Sequence, residues 1–179
     1  MTFDPPLFAK YKVEEHEHIK EWFFDEYQYW IDDNPRGTNM WSTDFHRWPY
    51  EDRAYKKLIN HFLRPYISEF VKQWNADDQW KVKWWFAQYE DGGDHRWHIH
   101  PGALFGCVYQ LELPDSKQAT ELDGKDFGLE EGDLIIFPAQ WPHRSPPNGT
   151  GRKTVIAGNI MWQDIAHPKY INRDTKYEE

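Results

Sequence analysis

The chain has 179 residues, of which 21 are basic and 30 are acidic, giving a net charge of −9 at neutral pH. This is the length of one ordinary domain, and the acidic charge disfavours a protein that binds the phosphate backbone of nucleic acids. With 11 Trp, 10 Tyr and 11 Phe, the chain has enough apolar surface to form a core, which excludes a disordered tail and a collagen-like repeat.

The N-terminal part of the chain carries two helical patterns. Apolar residues recur at helical spacing through residues 14–31, and a second apolar stripe continues through residues 51–74. An Asn-Pro-Arg-Gly sequence at 34–37 predicts a turn after the first helix. We assign residues 1–78 to a helical region that supports the rest of the domain.

Two histidines lie at the charged start of the first predicted helix. His16 and His18 are two positions apart, so they do not share a helix face, and we expect both to be exposed to solvent. The aromatic segment at 40–46, between the two helices, is a candidate lid over a substrate.

From residue 79 onward the pattern changes to short strands separated by turns that contain Gly and Pro. Strands are predicted at 80–89, 96–100, 105–113, 133–137 and 153–162. The strands do not alternate with helices, which favours an antiparallel barrel of the jelly-roll kind with the N-terminal helices packed on one face. The predicted fold class is therefore α+β, mainly β. We assign 79–165 to this barrel, 166–179 to a C-terminal tail, and 1–179 to a single domain.

Three histidines in the predicted barrel form a candidate metal site. His98 and His100 are separated by one residue, so an extended backbone would direct both imidazoles to the same side. His143 follows the strand at 133–137 and could supply a third imidazole from a neighbouring strand. Imidazole ligands suit zinc, iron, copper or nickel.

A candidate anion-binding pair lies at the start of the last predicted strand. Arg152 and Thr154 are two residues apart and would share one face of that strand. A guanidinium group can bind a carboxylate through two hydrogen bonds, and a hydroxyl can add a third. The alternative for Arg152 is an ordinary surface charge after a Gly-rich turn.

With these elements in place, residues 84–162 resemble a known family. They are similar to the double-stranded β-helix core of the iron(II)/2-oxoglutarate-dependent oxygenases, especially the small bacterial and phage-type, prolyl-hydroxylase-like members. The matching sequence elements are QYEDGG at 88–93, WHIHP at 97–101, FGCVYQL at 105–111, GDLIIFP at 132–138 leading to HRSPPN at 143–148, and GRKT at 151–154 leading to Asn159.

The resemblance implies roles for individual residues. His98 would be the first iron ligand and His143 the distal one, while Arg152 and Thr154 would bind the 5-carboxylate of 2-oxoglutarate. Tyr109 would direct its hydroxyl toward 2-oxoglutarate. Tyr89 is a further candidate of this kind, and with Trp97 and Trp141 it would form part of the pocket wall.

One position departs from the family pattern, which is His-x-Asp/Glu followed by a distal His. Residue 100 is His rather than a carboxylate, and three interpretations remain open. The site can be a three-His iron centre made of His98, His100 and His143. It can be a two-His site in which His100 begins a His-x-Gly motif, or a three-His metal site of the cupin type, which shares the same barrel.

The function that follows is that of an Fe(II)- and 2-oxoglutarate-dependent dioxygenase. With molecular oxygen, it would hydroxylate a small molecule, an amino acid or a peptide side chain. The alternatives are a cupin-type dioxygenase or isomerase that does not use 2-oxoglutarate, and a non-catalytic barrel that binds a ligand through its aromatic residues.

The expected location is the cytoplasm. The single cysteine, Cys107, excludes an intramolecular disulfide. No apolar run approaches the roughly 18 residues of a membrane span, and the first residues do not resemble a signal peptide. We therefore expect neither a membrane nor a nucleic acid as a partner.

Overall fold

The computed structural model describes residues 5–32, 39–43, 54–75 and 80–162. The predicted turn at 34–37, the lid segment beyond residue 43 and the tail at 166–179 lie outside these ranges. The helices of the described part are α1 (His16–Asp32), α2 (Ala54–Lys72) and one 3-10 turn (Ser116–Gln118). Its strands are β1 (Ala9–Lys12), β2 (Met40–Ser42), β3 (Trp80–Tyr89), β4 (His95–His98), β5 (Phe105–Glu112), β6 (Glu121–Leu122), β7 (Asp133–Pro138), β8 (His143–Ser145) and β9 (Lys153–Trp162).

The strands form two antiparallel sheets. The larger sheet has the order β1-β7-β5-β9-β3-β2, and the smaller sheet has the order β4-β8-β6. Strands β3 and β9 pair along their whole length, from Trp80 opposite Trp162 to Tyr89 opposite Lys153. Both strands have the bounds predicted from the sequence, because their aromatic and β-branched residues are delimited by charged or Gly-containing turns.

The two helices cover the outer face of the larger sheet. Ile19 and Phe23 of α1 and Leu63 of α2 are fully buried in a cluster that also includes Phe86 of β3. The helical spacing of these residues brings them onto one side of each helix, where they pack against the sheet. The predicted fold class is confirmed: the chain is a double-stranded β-helix with N-terminal helices packed on one face.

A second core lies between the two sheets. It contains Ala87 and Tyr89 of β3, Val155 of β9 and Leu122 of β6. Side chains alternate along a strand, so one face of β3 packs against the helices and the other faces the interior between the sheets. The functional site described below lies on this interior face.

The prediction that His16 is exposed is wrong. The helix α1 begins at His16 itself, and the His16 ring is buried against β5, where its Nδ1 atom lies 2.6 Å from the hydroxyl of Tyr109. Its Nε2 atom lies 3.3 Å from a carboxylate oxygen of Glu131. No helix in the described ranges has both the length and the apolar character needed to cross a membrane.

Candidate metal centre

Three imidazoles converge at the edge of the smaller sheet. His98 ends β4 and His143 begins β8, and the two residues are opposite each other in the pairing of these strands. His100 follows two residues after His98, and its Nε2 atom lies 3.1 Å from Nε2 of His143. One ring nitrogen from each of the three histidines lies within 4.8 Å of the other two.

Backbone carbonyls fix the orientation of two of the rings. The Nδ1 atom of His98 lies 2.7 Å from the carbonyl oxygen of Arg96, and Nδ1 of His143 lies 3.1 Å from that of Trp141. A carbonyl oxygen only accepts hydrogen bonds, so each Nδ1 carries a proton, and in the neutral ring Nε2 is then the atom with the lone pair. Burial lowers the pKa of His143 to about 3, and the neighbouring His98 adds to this shift. His143 is therefore neutral, as a metal ligand must be.

Aromatic rings surround the three histidines. The ring of Trp85 lies 5.4 Å from that of His100, and Phe137 directs a tilted ring toward His143 at 4.8 Å. His95 stacks on His98 with a distance of 4.0 Å between ring centres. These contacts hold the imidazoles in place and keep the surroundings largely apolar.

The donor set fits a divalent transition metal. Three nitrogen donors on one side of an ion leave the opposite coordination positions available for water, a cosubstrate or oxygen. The contacts of the Nδ1 atoms with carbonyl oxygens are the kind of second-sphere hydrogen bond that orients metal-binding histidines. The residues present are therefore suited to holding iron or a similar metal.

The structure places Arg152 and Thr154 away from the three histidines, on the opposite face of the larger sheet. The guanidinium of Arg152 donates hydrogen bonds of 2.7 and 2.9 Å to the carboxylate of Glu112 and lies 4.2 Å from the ring centre of Phe24 in α1. Thr154 accepts a hydrogen bond from Gln88 and donates one of 3.2 Å to Glu112. These side chains therefore join the larger sheet to its helical layer.

The residue between them, Lys153, was not singled out from the sequence. Its side chain is fully buried on the interior face, where Nζ donates a 2.7 Å hydrogen bond to the carbonyl of Gln118 and another to the hydroxyl of Ser145. Nζ also lies 4.7 Å from the ring centre of Tyr89. Ser145 and Tyr89 line the same pocket as the three histidines. Burial lowers the pKa of Lys153 to about 7.

The other predicted site residues fall into two groups. Tyr89 lines the pocket, where burial raises the pKa of its hydroxyl to about 12. Tyr109 lies on the helical side of the larger sheet with its hydroxyl beside His16, so the structure does not bring it to the pocket. Trp97 is 44% exposed beneath the guanidinium of Arg144, and Trp141 packs half-buried at the edge of the interior core.

The fold and the three-His cluster define a double-stranded β-helix with a candidate metal centre. No family model matches the sequence, and neither does any curated protein. Solved structures do match. The viral collagen prolyl hydroxylase of Paramecium bursaria Chlorella virus-1, in complex with 2OG, superposes with a TM-score of 0.62 at 14% identity, covering 89% of this chain and 98% of that one.

Two further matches have the same fold. A prolyl-4-hydroxylase of Pseudomonas putida has a TM-score of 0.59 at 15% identity and covers 88% of this chain and 93% of its own. A prolyl hydroxylase of Trichoplax adhaerens, in complex with a peptide of a hypoxia inducible factor, has a TM-score of 0.59 at 12% identity. The match covers 87% of this chain and 83% of that one. The resemblance seen in the sequence is thus confirmed in the fold: the structural neighbours are prolyl hydroxylases and 2OG-Fe(II) oxygenases.

Proposed function

We propose that the protein is an Fe(II)- and 2-oxoglutarate-dependent oxygenase that hydroxylates a small molecule, an amino acid or a peptide side chain. One observation carries this proposal. A three-imidazole donor set lines an interior pocket of a double-stranded β-helix, and the buried amino group of Lys153 donates a hydrogen bond to Ser145 in the wall of the same pocket. A metal and an anionic cosubstrate could be held there together.

His98, His100 and His143 would hold the iron. When bound, the iron would supply oxygen activation coupled to the conversion of 2-oxoglutarate to succinate and carbon dioxide. The protein would contribute neutral ligands of fixed orientation. The apolar side chains of Trp85, Val155 and other wall residues would exclude water from the reacting groups.

Lys153, in place of Arg152, would bind the distal carboxylate of 2-oxoglutarate. An ammonium group has three donors, and Lys153 uses two of them on Gln118 and Ser145. Within the described part of the chain, no carboxylate forms an ion pair with it. Burial disfavours its charged form, so a carboxylate ligand would supply the missing counter-charge and stabilise the ammonium. The hydroxyl of Ser145 and the ring of Tyr89 lie beside it.

The experiment that tests this function measures succinate release with Fe(II) and 2-oxoglutarate present or omitted. We expect release that needs both, that is abolished in His143→Ala, and that is strongly reduced in Lys153→Met. His61→Ala is the matched control, because His61 is exposed on α2, outside the pocket. Metal binding without any effect of 2-oxoglutarate would overturn the proposal.

A second candidate function is a cupin-type three-His enzyme that does not use 2-oxoglutarate. The observation that favours it is that every donor in the cluster is an imidazole, with no carboxylate among them. Oxygen uptake or isomerase activity that needs the metal but not 2-oxoglutarate, and that is retained in Lys153→Met, would support this alternative.

A further inference from the structure

A groove with basic side chains lies between α2 and the start of β3. Lys56, Lys57 and Arg64 of α2 and Lys81 and Lys83 of β3 line it, and we call it the basic groove. Its volume of about 550 Å³ is within the range of sites that bind small molecules and cofactors. It shares no lining residue with the metal pocket in the part of the chain that the structure describes.

The charge of the basic groove is opposite to that of the protein as a whole. The chain has a net charge of −9, yet five of its 21 basic residues line this one groove. Among the described residues that line the groove, none is acidic. Cations gathered in one cleft raise the local concentration of anions, so the groove is suited to an anionic ligand.

The polar side chains of α2 form a row along the groove. Lys56, Asn60 and Arg64 are spaced four residues apart, so they lie on one face of the helix. At the rise of an α-helix, the row from Lys56 to Arg64 is about 12 Å long. The positive charges are therefore spread along the groove, which favours a ligand with several negative charges over one with a single charge.

Two of the polar side chains in this row are held in place by tryptophans. The guanidinium of Arg64 lies 4.2 Å from the ring centre of Trp80, and the side-chain oxygen of Asn60 accepts a 3.4 Å hydrogen bond from the indole N–H of Trp84. Within the described ranges, no carboxylate pairs with Arg64 or Lys57, and the amide nitrogen of Asn60 has no acceptor. These groups are hydrogen-bond donors, as an anion requires.

The floor of the basic groove is apolar. Trp80, Val82 and Trp84 belong to the face of β3 that packs against the helices, and Met161 of β9 lies beside them. Trp84 and Val82 rest directly on Gly158, where an added Cβ atom would lie 2.7 Å from each side chain. The floor is thus close-packed, and an apolar or planar part of a ligand could lie against it.

We infer that the basic groove is a binding site for a nucleoside phosphate. The phosphates would contact the cations, and the ring system would lie on the apolar floor. Several charges match a di- or triphosphate better than a single carboxylate, and the floor gives a nucleoside an advantage over inorganic polyphosphate. The net charge of −9 disfavours a longer nucleic acid strand. This site does not depend on the proposed oxygenase function.

The binding test is calorimetric titration of the full chain at an ionic strength of about 0.15 M, where distant charges are screened. EDTA is present, so that phosphates cannot bind through a metal at the histidines. The ligands are ATP, inorganic tripolyphosphate, adenosine and a short oligothymidylate. We expect ATP to bind more tightly than each of the other three.

Variants of the basic groove locate the site. Arg64→Gln should weaken ATP binding by at least about tenfold, since it removes a hydrogen-bonding charge. Lys57→Glu, at an exposed position where folding is not at risk, should weaken it by about threefold to tenfold. Lys117→Glu is the matched control, because it makes the same change of charge on an exposed residue outside the groove. Its affinity should stay within about twofold of the wild type.

Four outcomes would overturn the inference. ATP does not bind the wild-type protein, or Lys57→Glu binds ATP as tightly as Lys117→Glu does. Tripolyphosphate binds as tightly as ATP, in which case the groove recognises phosphate alone. The oligothymidylate binds more tightly than ATP, in which case the ligand is a nucleic acid strand.

Discussion

The Nε2 atoms of His100 and His143 lie 3.1 Å apart. Two ligand atoms about 2.1 Å from one ion and at right angles to each other would be about 3.0 Å apart. The two nitrogens are thus already spaced as ligands of one metal. Since Nδ1 of His143 donates to the carbonyl of Trp141, the lone pair of its Nε2 atom is available for that purpose.

The first prediction concerns the number of histidines that bind the metal. Adding Zn(II) or Fe(II) at about 100 times the dissociation constant should stabilise the wild-type protein by about 2.7 kcal/mol, because the metal binds only the folded state. His98→Ala, His100→Ala and His143→Ala should each lose most of this stabilisation, measured by thermal unfolding with and without metal.

His61→Ala, on the exposed surface of α2, is the control and should respond to metal as the wild type does. The two-His interpretation, in which His100 is the first ligand, predicts a different pattern. In that case His98→Ala would keep the full metal-dependent stabilisation, and the three-His centre would be wrong.

The second prediction separates Lys153 from Arg152. Lys153→Met should weaken the binding of 2-oxoglutarate by at least tenfold, since a hydrogen bond to a charged group contributes about 1.5–3 kcal/mol. Arg152→Gln should leave that affinity within about twofold of the wild type, because its guanidinium is bound to Glu112 on the opposite face. Calorimetric titration of 2-oxoglutarate into the Zn(II)-loaded proteins measures the affinity of each variant and of the wild type.

Loss of stability without loss of 2-oxoglutarate affinity is the pattern expected of Arg152→Gln. If instead Arg152→Gln abolishes binding and Lys153→Met does not, the carboxylate anchor is Arg152, as the sequence resemblance implies, and the pocket must be rearranged when the ligand binds.

The sequence pattern could not show that Lys153, rather than Arg152, faces the interior of the barrel. The bounds of β9 were predicted correctly, but its two faces are both rich in small and apolar residues, so the pattern does not indicate which face is interior. A shift of one residue exchanges the faces. Only the pairing of β9 with β3 and β5 places Lys153 inside and Arg152 outside.

The three histidines, by contrast, could be predicted from the sequence. His98 and His100 are close in sequence, so their proximity depends on local backbone geometry, and the matching motifs supplied His143. The strands that were not predicted, such as β1 and β8, have only three or four residues and no clear hydrophobic pattern. The burial of His16 depends on how α1 packs on β5, a contact between distant parts of the chain.

The third prediction concerns the contact between His16 and Tyr109. Tyr109→Phe removes the hydroxyl that lies 2.6 Å from Nδ1 of His16 and leaves a buried ring nitrogen without its partner. We expect the free energy of unfolding to fall by about 1–3 kcal/mol, measured by urea denaturation, with metal binding unchanged.

Tyr66→Phe is the matched control, because the Tyr66 hydroxyl accepts its hydrogen bond from Glu14 at an exposed position. Its effect should stay within about 0.5 kcal/mol. A large loss of 2-oxoglutarate affinity in Tyr109→Phe would contradict the structural role and would favour the cosubstrate contact that the sequence resemblance implies.

The fourth prediction follows from the buried ammonium of Lys153, whose pKa is lowered by burial from 10.5 to about 7. Between these two values the unfolded chain binds a proton that the folded protein has released, so the free energy of unfolding should rise with pH, by up to about 1.4 kcal/mol per unit. Below pH 7 both states are protonated, and this contribution becomes constant.

Urea denaturation of the ligand-free protein at pH 7, 8 and 9 should show this rise relative to Lys153→Met, which lacks the titrating group. Parallel pH profiles for the two proteins would mean that the Lys153 pKa is close to its ordinary value and that the pocket is open to water.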